Sequence, residues 1–261
     1  MPFPGMRMLS QEPEFSAPYS GLSCTLRRSE KISMHIVSEP PILYLGTPVV
    51  LISTVNEDGS YNLAPMSSAF WLGWRCILGL ATVSKTPHNM IRTGQCVLNL
   101  PSEQMVAEVN RLALTTGTDP VPAAKVARGY RHEKRKFEIA GLTPVKSQTV
   151  AAPRVKECPV QLEAAVEHVR DLAENDDKVR GRTKVFEVRI QRVHIAEEIL
   201  MEGHTKRIDP DKWRPLIMSF QRFYGLSPNQ VHESTLGQVP EALYRSPDVD
   251  RARSGEPAEL D

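Results

Sequence analysis

Short apolar runs bounded by turn residues follow one another through the first half of the chain. Residues 49–55 form a β-branched apolar run, Asp58-Gly59 is a turn pair, and residues 61–66 return as a second run. This pattern is typical of a β-hairpin. Two further apolar runs, WRCILGLATV and CVLNLP, lack clean alternation, which predicts strands buried on both faces. The pattern favours a β barrel or an α+β fold, because helices do not alternate with these strands as a doubly wound sheet requires.

Strand signals resume in the second half of the chain. Residues 159–169, PVQLEAAVEHV, and residues 185–195, VFEVRIQRVHI, alternate apolar and polar side chains, as strands with one buried face do. The apolar parity changes after Ile190, which predicts a β-bulge. Ser102 is expected to cap an amphipathic helix. Residues 209–226 carry large apolar side chains at near-helical spacing, which most simply serve as core or dimer contacts.

The chain divides by composition into three parts. Residues 1–40 carry several prolines and little periodicity, which predicts an irregular N-terminal arm. Residues 41–230 hold the strand signals and are expected to form one domain. Residues 231–261 form a polar C-terminal tail that we expect to be partly disordered, because its end offers few apolar side chains to bury.

Charge and cysteine usage exclude several classes of protein. Lys and Arg total 32 and Asp and Glu total 31, a formal net charge of +1, so no global field favours nucleic acid or an anionic membrane. No apolar stretch is long enough to span a membrane, and the first residues do not resemble a secretory signal. The four cysteines are scattered, which predicts reduced thiols in the cytoplasm and no metal site.

The segment SKTPHNMIRTG, residues 84–94, joins two of the apolar runs. Thr86 is suited to cap a helix, Pro87 to occupy its first position and Gly94 to end it. The free N–H groups of a helix start, together with the charge of Lys85, favour an anion, most often a phosphate. A capped surface helix with a solvated lysine is the alternative. The segment alone favours this alternative, because helix caps are more common than phosphate sites.

Two hydroxyl side chains follow the returning strand of the hairpin. Ser67 and Ser68 come directly after the run YNLAPM. If the neighbouring strands end side by side, these hydroxyls and the helix start at Thr86 face one pocket. A phosphate would then meet hydroxyls, backbone N–H groups and a lysine together.

The two segments together resemble a known family. TPVVLISTVNEDGSYNLAPMSSAF, followed by VSKTPHNMIRTGQCVLNLPS, is similar to the flavin reductase-like FMN-binding split-barrel proteins, the group associated with flavoprotein oxygenases. The likeness covers roughly residues 40–226 and is densest at about residues 48–102. It implies a mainly β fold, a six-stranded split barrel with Greek-key character, that forms a homodimer and holds FMN, less often FAD. With both motifs in view, residues 84–89 are predicted to be a phosphate site.

The same resemblance implies which residues hold the cofactor. The first motif would flank the flavin ring and ribityl chain, and the second would receive the phosphate. The residues so implied are Asn62, Ala64, Pro65 and Met66 at the ring, Ser67 and Ser68 at the ribityl chain or phosphate, and Ser84, Lys85, Thr86 and Asn89 at the phosphate.

The chain departs from the family pattern before a late strand. Many family reductases carry Gly-Asp-His there, close to the nicotinamide, whereas this chain has Gly181-Arg182-Thr183. The resemblance implies an oxidoreductase that passes a hydride from NAD(P)H or another donor through flavin N5 to an acceptor or a partner oxygenase. A non-catalytic flavin carrier or sensor is the alternative. The sequence nominates no catalytic side chain.

Several other residues keep two interpretations. The basic cluster of residues 128–136 is a solvated loop by default, or a site for a second phosphate such as that of NADPH or FAD. Trp71 and Trp74 either wall a flavin or, as is more common, complete a core or an interface. His88 either touches the phosphate or the ring edge, or is solvated on its helix.

Overall fold

The computed structural model describes residues 35–255. The chain divides into two compact units, residues Met1–Pro40 and Pro41–Asp261. Residues 35–40 of the first unit have no regular secondary structure. The rest of the predicted N-terminal arm, residues 1–34, lies outside the described residues, as does the end of the predicted tail, residues 256–261.

The second unit is mainly β, as predicted. Its strands are β1 (Leu45–Pro48), β2 (Val50–Val55), β3 (Tyr61–Met66), β4 (Ala69–Leu72), β5 (Arg75–Ala81), β6 (Gln95–Leu100), β7 (Thr115–Thr116), β8 (Arg131–His132), β9 (Pro144–Val145), β10 (Arg154–Val155), β11 (Val160–Asp171), β12 (Thr183–Ile195), β13 (Ile217–Ser219) and β14 (Arg222–Tyr224). Its α-helices are α1 (Lys85–Thr93), α2 (Val106–Arg111), α3 (Ala123–Val126), α4 (Lys136–Ala140) and α5 (Pro247–Ser254). Short 3-10 helices span Glu103–Met105, Glu197–Ile199, Thr235–Gln238 and Glu241–Tyr244. None of the helices within residues 35–255 is long and apolar enough to cross a bilayer.

One large antiparallel sheet organises the unit. Its strand order is β3-β2-β6-β11-β12-β5-β4, so seven strands pair where six were expected. The last of them, β4, is a short edge strand in which Ala69 lies opposite Leu78 and Leu72 opposite Arg75. Closure of the sheet into a barrel and its Greek-key character stay predictions.

The predicted hairpin is formed by β2 and β3. Val50 lies opposite Met66 and Val55 opposite Tyr61. The connecting turn contains Gly59 at a φ of 79°, in the left-handed region that glycine adopts without steric cost. The Asp-Gly pair therefore fixes the register that the two apolar runs suggest.

The predicted β-bulge lies in β12. In its pairing with β11, Glu163 is opposite Arg192 and Ala164 is opposite Ile190. Gln191 is thus the extra residue of the bulged strand. The bulge predicted from the change of apolar alternation after Ile190 is confirmed by this shift in register.

The core occupies both faces of the sheet at β2, where Leu51 and Ile52 are fully buried in two different apolar clusters. Burial on both faces is confirmed for β6. It is wrong for β5, in which Leu78 and Leu80 are buried but the intervening Gly79 is only half-buried. The second face of β5 lines an open cavity instead of a core.

The helix α1 begins earlier than predicted. Ser84, rather than Thr86, is the residue that precedes it. Thr86 is the second residue of the helix, and its Oγ1 accepts a hydrogen bond of 3.0 Å from Asn62 Nδ2. Pro87 lies at the third helical position, where the missing N–H still costs no intrahelical bond. The predicted end at Gly94 is confirmed, with a left-handed φ of 66°.

The helix predicted after Ser102 is divided in two. A 3-10 turn, Glu103–Met105, precedes α2, and Ser102 makes no capping hydrogen bond with its side chain. The expected apolar face is present, since Val109 and Leu112 are each 1% exposed.

Within residues 209–226, residues 217–224 form a β-hairpin, and no helix is present there. Pro215 precedes β13, which pairs with both β1 and β14. A proline cannot donate within a helix, and this one lies inside the near-helical pattern. The hairpin turns at Phe220 and Gln221, whose φ angles of 45° and 62° are left-handed.

The described part of the C-terminal segment, residues 231–255, contains helices, and its partial disorder stays a prediction. Helix α5 packs on β12, and its Ala252 is 8% exposed. Asp248 Oδ2 accepts a hydrogen bond of 3.1 Å from Arg75 Nε at the start of β5. An ion pair of this kind ties the polar segment to the sheet without a large apolar surface.

Candidate functional site

A cavity of about 330 Å³ opens between β3, β5, the start of α1 and the segment of residues 112–136. β3 forms one edge of the large sheet and β5 lies next to the other edge, so strands from both sides of the sheet line the cavity. Its volume is in the range of small-molecule sites.

Eight of the ten residues predicted to hold a cofactor line this one cavity. They are Asn62, Ala64, Pro65, Met66, Ser68, Ser84, Lys85 and Thr86. The remaining two, Ser67 and Asn89, are not among its lining residues. Asn89 is fully buried, and its Nδ2 donates to Thr54 Oγ1 at 3.0 Å and Asn56 Oδ1 at 2.8 Å. These bonds pack α1 on the hairpin, and the contact of Asn89 with a phosphate stays a prediction.

Asn62 connects β3 to α1 and also lines the cavity. It is 2% exposed, and its Nδ2 donates to Thr86 Oγ1 at 3.0 Å. Its Oδ1 is buried and has no hydrogen-bond partner within the described part of the chain. A buried oxygen without a donor is costly, so this atom is a natural acceptor for a hydroxyl of a ligand. A Cβ at Gly117 would lie 2.7 Å from the same oxygen, which leaves room for glycine alone.

A second lysine reaches the start of α1. Lys125 Nζ, from α3, donates to Ser84 Oγ at 2.9 Å and to Thr116 Oγ1 at 3.1 Å. The predicted lysine, Lys85, instead forms an ion pair of 2.6 Å with Glu57. The hydrogen bond from Lys85 lowers the pKa of Glu57, so this pair is already neutralised. The charge at the helix start thus comes mainly from Lys125.

The cavity has an electropositive end built from residues 125–136. Lys125 is 7% exposed and Lys136 is 3% exposed, and Arg128 lines the cavity beside them. No carboxylate of residues 35–255 lies within 4.0 Å of any of the three. Burial lowers the pKa of Lys136 to about 8, and the charge of Lys125 adds to the effect. Buried lysines without a counter-ion are rare, so this end of the cavity is suited to an anion.

The sequence pattern indicates these cations only in part. Arg128 and Lys136 belong to the cluster that was treated by default as a solvated loop, whereas Lys125 was not singled out. Other members of the cluster do face solvent, and Lys134 Nζ pairs with Asp58 at 2.6 Å. A signal was available at Lys136, because the apolar Phe137 follows it and helix α4 begins there.

Another part of the cavity wall is apolar. Ala64, Pro65 and Met66 of β3 line it, and β3 is an edge strand whose outer backbone groups are not paired within the sheet. Tyr44 and Ser68 also line the cavity, and their hydroxyl oxygens lie 3.0 Å apart. Backbone donors beside apolar side chains are suited to the polar edge of a planar ring system.

The other candidates lie elsewhere, with one exception. Trp71 and Trp74 pack against the core outside this cavity, and His88 is exposed on α1. Of the triplet Gly181-Arg182-Thr183, Thr183 lines the cavity at the start of β12. Within residues 35–255 no group of three or more metal-ligating side chains is gathered.

The chain is a β-sheet protein whose sheet carries a cavity with buried lysines and apolar side chains in its lining. A family model described as "Flavin reductase like domain" matches residues 43–227. The chain therefore belongs to the flavin reductase-like family, a family of flavin-related reductases.

The chain is also similar to one curated relative and to two solved structures. "Uncharacterized protein YdfE" of Bacillus subtilis (strain 168) is 39% identical over 72% of this chain and 87% of its own length. Nitrilotriacetate monooxygenase component B from Bacillus cereus has a TM-score of 0.60 at 21% identity, over 77% of this chain and 100% of its own. The flavoredoxin of Desulfovibrio vulgaris (Miyazaki F) has a TM-score of 0.61 at 20% identity, over 79% of this chain and 100% of its own. At these identities the structures show the fold.

Proposed function

We propose that the chain binds FMN in the cavity between β3, β5 and α1 and acts as a flavin-dependent oxidoreductase. One observation carries the proposal: a single cavity is lined by buried cations without carboxylate partners in residues 35–255 and by the apolar side chains of residues 64–66. A phosphate at the end of a planar ring system has the same two halves. Membership of the flavin reductase-like family supports the same ligand.

The cationic end fits a terminal phosphate. A phosphate monoester carries a charge of about −1.5 to −2 at pH 7, which matches the two buried lysines, Lys125 and Lys136. Their ammonium groups have donors to spare, since Lys136 makes no hydrogen bond or ion pair with a residue of the described chain. The monoester of FMN offers more charge at one place than the internal pyrophosphate of FAD, so FMN is the proposed cofactor and FAD the alternative.

The other residues would hold the rest of the cofactor. The unbonded Oδ1 of Asn62 would accept a ribityl hydroxyl, and residues 64–66 would lie along the ring. FMN, when bound, supplies hydride chemistry at its N5. No carboxylate or histidine is among the residues that line the cavity, so the chain's own contribution is binding and orientation, which is what hydride transfer chiefly requires.

The donor, the acceptor and the assembly are also part of the proposal. NAD(P)H is the proposed donor, and the Bacillus cereus neighbour, named a monooxygenase component B, supports an oxygenase as partner. A homodimer would cover the apolar side chains of Leu45, Phe70 and Leu72, each more than half exposed at 73%, 53% and 70%. The cytoplasmic location that the cysteines suggest stays a prediction.

A flavin carrier is the second candidate. Thr183 lines the cavity at the place where many relatives are expected to carry a histidine near the nicotinamide. A threonine there removes an aromatic contact for the donor. The same cavity would then hold FMN without nicotinamide turnover.

Binding is tested by comparing FMN with riboflavin, which lacks the phosphate. Lys136→Met is expected to weaken FMN at least tenfold, because a charge-assisted hydrogen bond contributes about 1.5–3 kcal/mol, and to leave riboflavin unchanged. Lys156→Met, at an exposed lysine outside the cavity, is the matched control. Fluorescence quenching gives both affinities. Equal losses for the two flavins would place the phosphate elsewhere.

Activity is tested by anaerobic stopped-flow mixing of the FMN-loaded protein with NADH or NADPH. Fast bleaching of the flavin absorbance by either would support the reductase. Reduction by dithionite but by neither nicotinamide would favour the carrier. A flavin that never binds would reject both.

A further inference from the structure

A second cleft lies at the other side of β12, beneath the C-terminal segment. Its volume is about 690 Å³, and residues of β12, residues 205–206 and residues 241–253 line it. None of its lining residues also lines the proposed flavin cavity. The cleft is therefore a separate feature of the fold.

The floor of this cleft is apolar and rigid. Trp74, Val193 and Ile195 line it and pack against the main hydrophobic core. The carbonyl of Trp74 accepts a hydrogen bond of 2.8 Å from Ile190 N, which places the backbone of Trp74 next to the bulge of β12, while its side chain packs against the core. A large aromatic surface is thus held open to the cleft.

The roof is the C-terminal segment, which is fastened at two places. Glu241 Oε1 accepts from Arg207 Nε at 2.8 Å, and Asp248 Oδ2 accepts from Arg75 Nε at 3.1 Å. Between these two ion pairs Tyr244 lines the cleft. The segment is therefore tied down on either side of a space that its own side chains do not fill.

The rim is rich in positive charge. Arg192, Lys206 and Arg253 line the cleft, and no carboxylate of residues 35–255 lies within 4.0 Å of any of them. The carboxylate of the lining, Glu241, is taken by Arg207, which lies outside the cleft. The Nε of Arg192 is buried and has no hydrogen-bond partner within the described chain. A buried guanidinium nitrogen without an acceptor points to an anion that supplies one.

We propose that this cleft binds a small organic anion with an aromatic body. The ring would lie against Trp74 and Val193, where its burial is favourable, and its carboxylate, sulfonate or phosphate would accept from Arg192 and Arg253 at the rim. This combination of an apolar floor and convergent donors is the usual make-up of a ligand site. The site is independent of the flavin cavity and does not rest on the proposed function.

Equilibrium dialysis of the full chain against 2-naphthoate tests the proposal. One equivalent is expected to bind, with 2-naphthamide, its neutral analogue, bound at least tenfold more weakly. Excess FMN is expected to leave naphthoate binding unchanged. Displacement by FMN would move the ligand to the flavin cavity and overturn the proposal, as would equal binding of the amide or no saturable binding up to millimolar concentration.

Variants locate the bound anion. Arg192→Gln and Arg253→Gln are each expected to weaken naphthoate about tenfold, the effect of one charge-assisted hydrogen bond. The control is Arg182→Gln, at an exposed arginine that does not line the cleft, and it is expected to bind as the unaltered protein does. Thermal unfolding of each variant confirms that it is folded. If the three variants bind naphthoate equally well, the cleft is not the site.

Discussion

Two buried ionisable side chains of this protein have opposite surroundings. Glu163, on β11, is fully buried, and its carboxylate accepts hydrogen bonds of 2.6–3.0 Å from the backbone and side chain of Thr149, the backbone of Gln148 and the ring of His194. Burial acts to raise the pKa of Glu163, but these hydrogen bonds outweigh it and lower the pKa to about 2. Its site is complete within the fold.

Lys136, at the start of α4, has no such partners. It is 3% exposed and makes no hydrogen bond or ion pair with residues 35–255. Burial and the charge of Lys125 lower its pKa to about 8. The charge of Glu133 acts in the opposite direction, so the fold offsets the cost of this buried charge only in part.

This difference indicates that the charge of Glu163 stabilises the fold, whereas the charge of Lys136 serves to bind a ligand. Glu163 fastens the loop at residues 148–149 to the sheet, so its removal should harm the fold. Lys136 has unused donors that line a cavity, so its removal should help the ligand-free fold and harm binding.

The largest expected effect is that substitutions at Glu163 and Lys136 change the free energy of unfolding in opposite directions. Glu163→Gln places an amide N–H against backbone donors and is expected to lower the free energy of unfolding by about 3 kcal/mol. Lys136→Met removes an unpaired buried charge and is expected to raise it by about 2 kcal/mol. Urea unfolding of the ligand-free protein at pH 7 measures both changes.

The exposed residues Glu174 and Lys156 provide the matched controls. Glu174→Gln and Lys156→Met are expected to change the free energy of unfolding by less than about 0.5 kcal/mol. A Lys136→Met protein less stable than the unaltered chain would show that the fold itself uses this lysine, and the comparison would fail.

The sequence predicted the β2–β3 hairpin, the bulge in β12 and most of the cavity lining that β3 and the start of α1 supply. These features depend on local patterns: the Asp58-Gly59 turn, the parity change after Ile190, and a helix between two strands that ends at Gly94. Each is fixed by residues close together in the chain, so a short window contains the necessary information.

The cationic half of the cavity could not be predicted in the same way. Lys125 lies 41 residues from Ser84, to which it donates, and nothing local distinguishes it from a solvated lysine. The hairpin at residues 217–224 was missed because its apolar side chains also have near-helical spacing. Its strands β13 and β14 are adjacent in the chain, but the pairing of β13 with the distant β1 favours the strand. Tertiary contacts override local spacing in both cases.

The next effect concerns pH. In the ligand-free protein Lys136 loses its proton with a pKa of about 8, whereas a bound phosphate favours the protonated lysine. FMN affinity is therefore expected to be full below pH 8 and to fall above it, at most tenfold per pH unit. Fluorescence titrations between pH 7 and 9.5 measure this fall.

Riboflavin and the Lys136→Met variant are the controls that assign the pH dependence to Lys136 and the phosphate. Riboflavin has no phosphate and is expected to bind equally well across the range. FMN binding to Lys136→Met is expected to lose most of its pH dependence. If FMN and riboflavin weaken together, the titrating group does not face the phosphate.

The smallest effect is expected at Lys85, the lysine that the sequence placed at the phosphate. Its Nζ lies 2.6 Å from Glu57, whose side chain is 57% exposed, and a partly exposed pair contributes about 0.5 kcal/mol. Lys85→Met is therefore expected to weaken FMN only about twofold to threefold, well below the loss at Lys136. Glu57→Gln releases Lys85 and is expected to raise the affinity for FMN by a similar factor, with the affinity for riboflavin unchanged.

Titrations at low and high salt separate the two lysines further, because salt screens the exposed Lys85 pair more than the buried Lys136. A loss at Lys85 that equals the loss at Lys136 would mean that the ligand breaks the pair with Glu57 and recruits both lysines.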